Sequence, residues 1–316
     1  MAVLLSKAIP KINIHLYCPE GDDRSPSFLA VAHFLAGQGR INEIAVLSKT
    51  HGETLPFMAL STDGRPRHFY QAHPFGMEER PFSDLISILV TGTTSLSSSS
   101  LGILKKIQNS ITIRVLITSS CPFCPQIVGL VNQIAAASPL ISAWIVDLDL
   151  FPEKMRAYQP KAAPTTILGE EIWLTGLVSE KDLIGWVERL DGHDYFKEIY
   201  RNDLLEKRME AAVQRLALRP QDLPTLTGLL MAEEFGVKLG AMAVIEQLIE
   251  ETPHHHGVLL ESLLPFLQDE SDQVVGDAAY LIGLLQDDRK TAVLTPLLSH
   301  PNPEVIEAAF DGLTGK

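Results

Sequence analysis

Two thiols stand close together in Cys121-Pro122-Phe123-Cys124-Pro125. Cysteines at this spacing can close a short disulfide where a helix begins at the first of them, so the pair reads as a redox centre. The thiolate is the nucleophile, and the start of a helix favours it through unpaired backbone N–H groups and the positive end of the helix dipole. The expected division of labour is attack by Cys121 and resolution by the more shielded Cys124, through a mixed disulfide. Pro122 and Phe123 tune the thiols without revealing the direction of net transfer, since potentials of such pairs span roughly −270 to −120 mV.

The neighbouring sequence supplies elements to hold the pair. Residues 111–117 (ITIRVLI) are β-branched and aliphatic and read as a buried strand. Thr118-Ser119-Ser120 is a polar turn, and Ile127, Val128, Leu130, Val131 and Ile134 recur at helical spacing to about Ala136. The order is therefore strand, tight loop, dithiol, amphipathic helix. Further on come a strand at 142–147, a short helix at 152–158, a strand over 163–168, the turn Gly169–Glu171, a strand at 172–175 and a helix at 179–190.

The first part of the chain runs through a similar succession. A strand at 11–17 leads into Cys18-Pro19, a helix at about 27–35, a strand at 41–48, two strands at 55–60 and 67–71 joined by a turn containing Asp63-Gly64, and a helix at about 82–89. Residues 91–100, rich in Ser and Thr, read as a linker, followed by a connecting helix near 101–108. The chain thus contains an internal duplication, with a period of roughly 100 residues. The first copy has Gly21 where a second cysteine would stand, so Cys18 cannot cycle a local disulfide and the copy reads as a degenerate scaffold. The residues alone leave Cys18 either a free thiol at a strand end or a partner for Cys121 or Cys124.

The dithiol, followed at a distance by Ala163-Pro164-Thr165, resembles the thioredoxin and glutaredoxin superfamily. Two units in tandem with the full dithiol only in the second are similar to the glutaredoxin-like protein disulfide oxidoreductases and to the N-terminal domain of the alkyl hydroperoxide reductase flavoprotein subunit. The resemblance covers about residues 10–192. It implies a cis bond before Pro164, which would lie against the disulfide, with Thr165 beside it and neighbouring backbone groups free to align a substrate strand. Pro56 takes the matching place in the first copy. Pro122, Phe123, Pro164 and Thr165 are accordingly the expected substrate-binding residues.

From Pro220 onward strand signals give way to short helices. The segments 263–267 (LLPFL) and 294–298 (LTPLL) superpose at a shift of 31 residues, which also places Val274 and Val275 on Val305 and Ile306, and Ala278 on Ala309. A weaker copy lies at 237–248. The period, the proline in the first helix and the Asp- or Pro-rich turn resemble HEAT-like repeats, units that bury faces against neighbours and present a binding surface. The expected architecture is α/β, with two thioredoxin-like units with mixed central sheets at 1–93 and 94–192 and an all-α HEAT-like domain at 193–316.

Other groups invite weaker readings. The run His254-His255-His256 suggests a metal, but consecutive histidines cannot all face one ion, and a solvated loop or helix start is the plainer expectation. Asp147 and Asp149 either assist proton transfer to Cys124 or cap the following helix. Trp144, Trp173 and Trp186 read as core or edge packing. Half of a zinc site is the rival reading of the dithiol, although zinc needs four ligands and Cys18 is the one other cysteine.

Composition narrows the function. The chain of 316 residues carries a formal charge of −13, which argues against a nucleic-acid partner. Residues 197–316 hold 10 Lys and Arg against 20 Asp and Glu, so the last third carries most of the excess. Three cysteines exclude a disulfide framework as the main stabiliser. The apolar run at 1–5 is short for a signal peptide and no window suits a membrane span, so the expectation is a cytoplasmic protein without a membrane partner. The functional expectation is a thiol-disulfide oxidoreductase acting on protein disulfides, its helical repeats recruiting a protein partner. No Gly-rich dinucleotide fingerprint occurs, so no cofactor is expected to be bound, and an external reductase, glutathione or a partner dithiol would supply electrons. The competing expectation is a non-catalytic redox-sensing or adaptor protein on the same scaffold.

Overall fold

The computed structural model describes residues 12–37, 41–47, 54–62, 64–192 and 195–315, except the side chains of 41–44. Lys11, Ser48, Asp63, Asp194 and the apolar run at 1–5, all used in the sequence readings, lie outside these. The chain divides into two compact units at the 193/194 boundary.

The first unit contains both copies of the duplication. β1 (Ile12–Tyr17), α1 (Ser25–Gly37), β2 (Ile41–Leu47), β3 (Phe57–Ser61), β4 (His68–Gln71) and α2 (Glu79–Thr91) form the first. After α3 (Ser98–Leu104), the second follows as β5 (Ile111–Ile117), α4 (Cys124–Ala137), β6 (Ile141–Asp147), α5 (Pro152–Tyr158), β7 (Thr165–Leu168), β8 (Ile172–Thr175) and α6 (Glu180–Asp191). The two copies share a single sheet. Their strands form one eight-stranded sheet in the order β2-β1-β3-β4-β6-β5-β7-β8, and β4 runs parallel to β6 with His68 opposite Ala143 and Gln71 opposite Val146. At the join each copy covers one strand edge of the other, β4 against β6.

Alternation along the strands decides which residues the helices cover. Ile12, Ile14 and Leu16 are fully buried, while Asn13, His15 and Tyr17 between them are half-buried. Tyr70 of β4 packs edge-on against Phe82 of α2 and receives a 2.6 Å hydrogen bond from Asn132 of α4. His68 meets the carbonyl of Asn132 at 3.1 Å. The seam between copies is thus knitted by side chains as well as by the ladder. Trp144, central to an aromatic cluster, stacks on Phe69 at 4.4 Å between centroids, and it and Trp186 are buried while Trp173 packs at the edge of a smaller cluster, as expected of all three.

The serine-rich stretch is not wholly a linker. Ser97 accepts a hydrogen bond from the N–H of Ser100 and caps α3, which starts three residues before the expected helix. The Glu180 carboxylate adds bonds from the Ser97 N–H and the Ser100 hydroxyl, at 2.8 and 2.5 Å.

The second unit is helical among its described residues: α7 (Tyr195–Leu205), α8 (Met209–Leu218), α9 (Leu223–Thr227), α10 (Phe235–Glu251), α11 (His256–Leu263), α12 (Asp272–Leu284), α13 (Lys290–Leu294) and α14 (Pro303–Thr314). Three times a helix passes into a 3-10 segment, Gly228–Met231, Leu264–Gln268 and Thr295–Ser299, and then into a longer helix, α10, α12 or α14. The last two copies are offset by the 31 residues seen in the sequence. Pro265 and Pro296 enter the second and third of these 3-10 segments, where a missing N–H is least costly. Leu226, Val244, Leu259, Ile282 and Leu294 share one apolar core. α12 and α14 cross at Gly283 and Gly312 so closely that a Cβ on Gly283 would lie 2.5 Å from the Gly312 Cα.

The histidine run departs from its solvated reading. It does start a helix, yet His255 and His256 are buried, and His256 bridges the carbonyl of Ile249 at 2.8 Å and the N–H of Gln286 at 2.9 Å. Among the described residues no group of three or more His, Cys, Asp or Glu is placed to hold a metal. No helix of the described residues is long and apolar enough to cross a membrane.

Candidate functional site

β5 ends at Ile117 and the turn that follows brings Cys121 back over the sheet end, its N–H donating to the Thr118 carbonyl at 3.1 Å. Asp149 braces this turn from the β6–α5 connection, accepting from the N–H and hydroxyl of Ser119 at 2.9 and 2.6 Å. Asp147 is half-buried and accepts from the N–H groups of Asp149 and Leu150, so both carboxylates brace the loops and neither caps α5, whose N-cap residue Phe151 makes no side-chain cap. Burial holds the Asp147 carboxyl above its usual range, whereas the Ser119 bonds pull Asp149 below it.

Cys121 and Cys124 are joined by a disulfide, with their Cα atoms 5.5 Å apart. The helix begins at Cys124, not at Cys121 as the sequence suggests. Its first turn has no side-chain cap, and the N–H of Cys124 instead points at Cys121 Sγ from 3.1 Å. The donor expected to favour a Cys121 thiolate is therefore present. Cys121 is 7% exposed and Cys124 is fully buried, the asymmetry needed for an attacking and a resolving thiol.

Pro122 is exposed and the Phe123 ring is 55% exposed, forming an apolar rim beside the disulfide. Pro164 follows a cis bond, and Cys121 Sγ lies 3.5 Å from the preceding carbonyl, that of Ala163. The Pro164 carbonyl accepts from the Gly176 N–H at 2.8 Å, anchoring β7 to β8. Thr165 is fully buried and its hydroxyl donates to the Ala162 carbonyl at 2.7 Å. Cys18 is a buried free thiol outside this site.

One residue escaped the sequence reading. Glu78 lies in the 3-10 turn Gly76–Glu78, which packs against α4, and its side chain is buried, with Oε2 lacking a hydrogen-bond partner among the described residues. Burial, reinforced by the charge of Asp147, pushes its carboxyl up to about 7. Nothing local marks it, because Glu78-Glu79-Arg80 looks like any charged helix start. The helix that buries it comes more than forty residues later in the chain.

The class to which the second copy belongs is thioredoxin-like: residues 111–188 match the family model of the thioredoxin domain. Among solved structures, the NTD_N/C domain of the alkylhydroperoxide reductase AhpF from Enterococcus faecalis is 20% identical, covering 57% of this chain and 91% of that one, with a TM-score of 0.50. A protein disulfide oxidoreductase from Aeropyrum pernix is 18% identical over 58% of this chain and 88% of that one, with a TM-score of 0.51. At these identities the likeness is one of fold. No curated protein matches the chain.

Proposed function

We propose that the chain is a thiol-disulfide oxidoreductase whose working centre is the Cys121–Cys124 pair, acting on protein disulfides. The observation that carries this is the Cys124 N–H aimed at Cys121 Sγ beside the cis-Pro164 loop, with Cys124 sealed behind it. In the reducing direction the Cys121 thiolate attacks a substrate disulfide, forms a mixed disulfide and releases one substrate thiolate. The Cys124 thiolate then attacks Cys121 Sγ, the second substrate sulfur leaves, and the pair ends oxidised with two electrons passed on. Cys124 must lose a proton to do this. An external reductase, glutathione or a partner dithiol restores the dithiol. Pro122 and Phe123 form the exposed rim on which a substrate strand lies, and the buried Pro164 and Thr165 fix the loop beside it. The second unit, which we read as HEAT-like repeats, recruits a protein partner, and a reducing compartment such as the cytoplasm suits the cycle.

The test is reduction of insulin by the purified protein with dithiothreitol as electron source. Turnover is expected in the wild type and lost in Cys121→Ser, while Cys124→Ser traps a mixed disulfide visible by mass. Equal rates in wild type and Cys121→Ser would remove the enzymatic reading in favour of an adaptor.

A further inference from the structure

The first copy keeps the outline of the disulfide site of the second. Cys18 follows β1 as Cys121 follows β5, each is succeeded by a proline, and the bond before the strand-leading proline is cis in both, Leu55–Pro56 and Ala163–Pro164. Tyr17 pairs with Phe57, so Cys18 and Pro56, the residues just beyond that pair, are neighbours at the same sheet end. What fills the two places differs. In the second copy the carbonyl before the cis proline faces the sulfur of Cys121. In the first, the corresponding carbonyl, that of Leu55, accepts a 3.1 Å hydrogen bond from Arg24 Nη2.

Arg24 is fixed in this position from several sides. Nη2 and Nε donate to the Asp22 carboxylate at 2.8 and 3.2 Å, and Nη1 donates to Glu153 of the second copy at 2.6 Å. The guanidinium carbon lies 4.4 Å from the centroid of the Phe151 ring. All three guanidinium nitrogens are engaged, and the planar fork of arginine is suited to such simultaneous contacts where lysine is not.

We propose that Arg24 is a built-in occupant of the first copy's cis-proline site. Its guanidinium takes the backbone acceptor that an incoming polypeptide strand would use, closes off the Cys18 thiol, and leaves the chain one working exchange site. The state of Cys18 agrees with this. The side chain is buried, its sulfur lies 3.9 Å from the Ser25 carbonyl, and burial together with the Asp22 charge pushes the thiol up, away from the reactive thiolate. A purely structural ion-pair clasp would also place Arg24 between the copies, but it would leave the reactivity of Cys18 independent of Arg24.

The experiment reads alkylation and does not require Cys121 and Cys124 to exchange with anything. With that pair oxidised, Cys18 is the one free thiol, and iodoacetamide labelling followed by intact mass gives its rate. In the native wild type the rate should be about tenfold or more below that in denaturant, as for a thiol exposed only by local opening. Arg24→Met, which keeps an apolar stem against Phe151 but has no donor for Leu55, should raise the native rate by about tenfold or more while its circular dichroism is unchanged. Wild-type Cys18 reacting at the denatured rate, or a folded Arg24→Met reacting as slowly as wild type, would overturn the proposal. Should Arg24→Met not fold, Glu153→Gln decides: loss of one anchor should give a smaller rise, and an unchanged rate overturns the proposal equally.

Discussion

At the scale of single residues, the Glu78 carboxyl couples stability to pH in an unusual direction. An ordinary glutamate titrates near 4.5, whereas burial and Asp147 hold Glu78 near 7. Between those values the folded chain keeps a proton that the unfolded chain has lost. The stabilisation is complete below about pH 4.5 and disappears as pH rises through 7, and it is on the order of 2–3 kcal/mol. His68 works the other way. Burial lowers it to about 4, so its contribution is complete above 6.5 and disappears as pH falls through 4. The two slopes oppose one another in the overlapping range. Glu78→Gln should therefore raise the melting midpoint at pH 8 and leave a stability that climbs with pH between about 4.5 and 6.5, the uncovered signature of His68. A variant whose stability follows the wild-type pH curve would show that Glu78 is not the protonated buried group.

At the scale of elements, the α12–α14 crossing depends on the absence of two side chains. Alanine normally stabilises a helix interior over glycine by about 0.8–1 kcal/mol. At Gly312, however, a Cβ would meet the Gly283 Cα at 2.7 Å and Leu294 Cδ1 at 2.9 Å. Forcing two helix backbones apart costs about 1–3 kcal/mol, so Gly312→Ala should be a net loss. Thermal unfolding should show a lower midpoint for the helical unit with unchanged disulfide exchange by the first, whereas a gain in stability would contradict the close crossing. The elements themselves were largely legible: β5, α5 and β8 stand at the residues their β-branched runs and punctuation suggest, and the 31-residue offset recurs in the 3-10 and helical segments. The misreadings share one cause. Ser98–Ser100 are helical because Ser97 and Glu180 satisfy the helix start, and His256 is buried because carbonyl and N–H groups from two other segments meet its ring. Glu78 and Arg24 likewise acquire their roles from partners far along the chain, and short-range periodicity carries no record of those.

At the scale of the whole molecule, the division at 193/194 separates the chemistry from the acidic helical repeats. Each unit has its own apolar core, and the dithiol, the cis-Pro164 loop and Glu78 all lie in the first. A chain ending at residue 193 should fold and reduce a small disulfide at the full-length rate, while losing any protein substrate that the helical unit delivers. Failure of that fragment to exchange disulfides would place part of the site in the helical unit.

The parallel join of β4 to β6 also has a consequence for synthesis. Gln71 finds its partner in Val146, 75 residues further on. At the usual 5–20 residues per second, β4 leaves the ribosome roughly 4–15 s before the strand that covers it. During that interval the first copy presents an unpaired strand edge, the feature that recruits other chains into mixed sheets. The nascent protein is thus most prone to intermolecular pairing while its disulfide-bearing half is still being made, and holdase chaperones that shield strand edges are expected to matter most at that chain length.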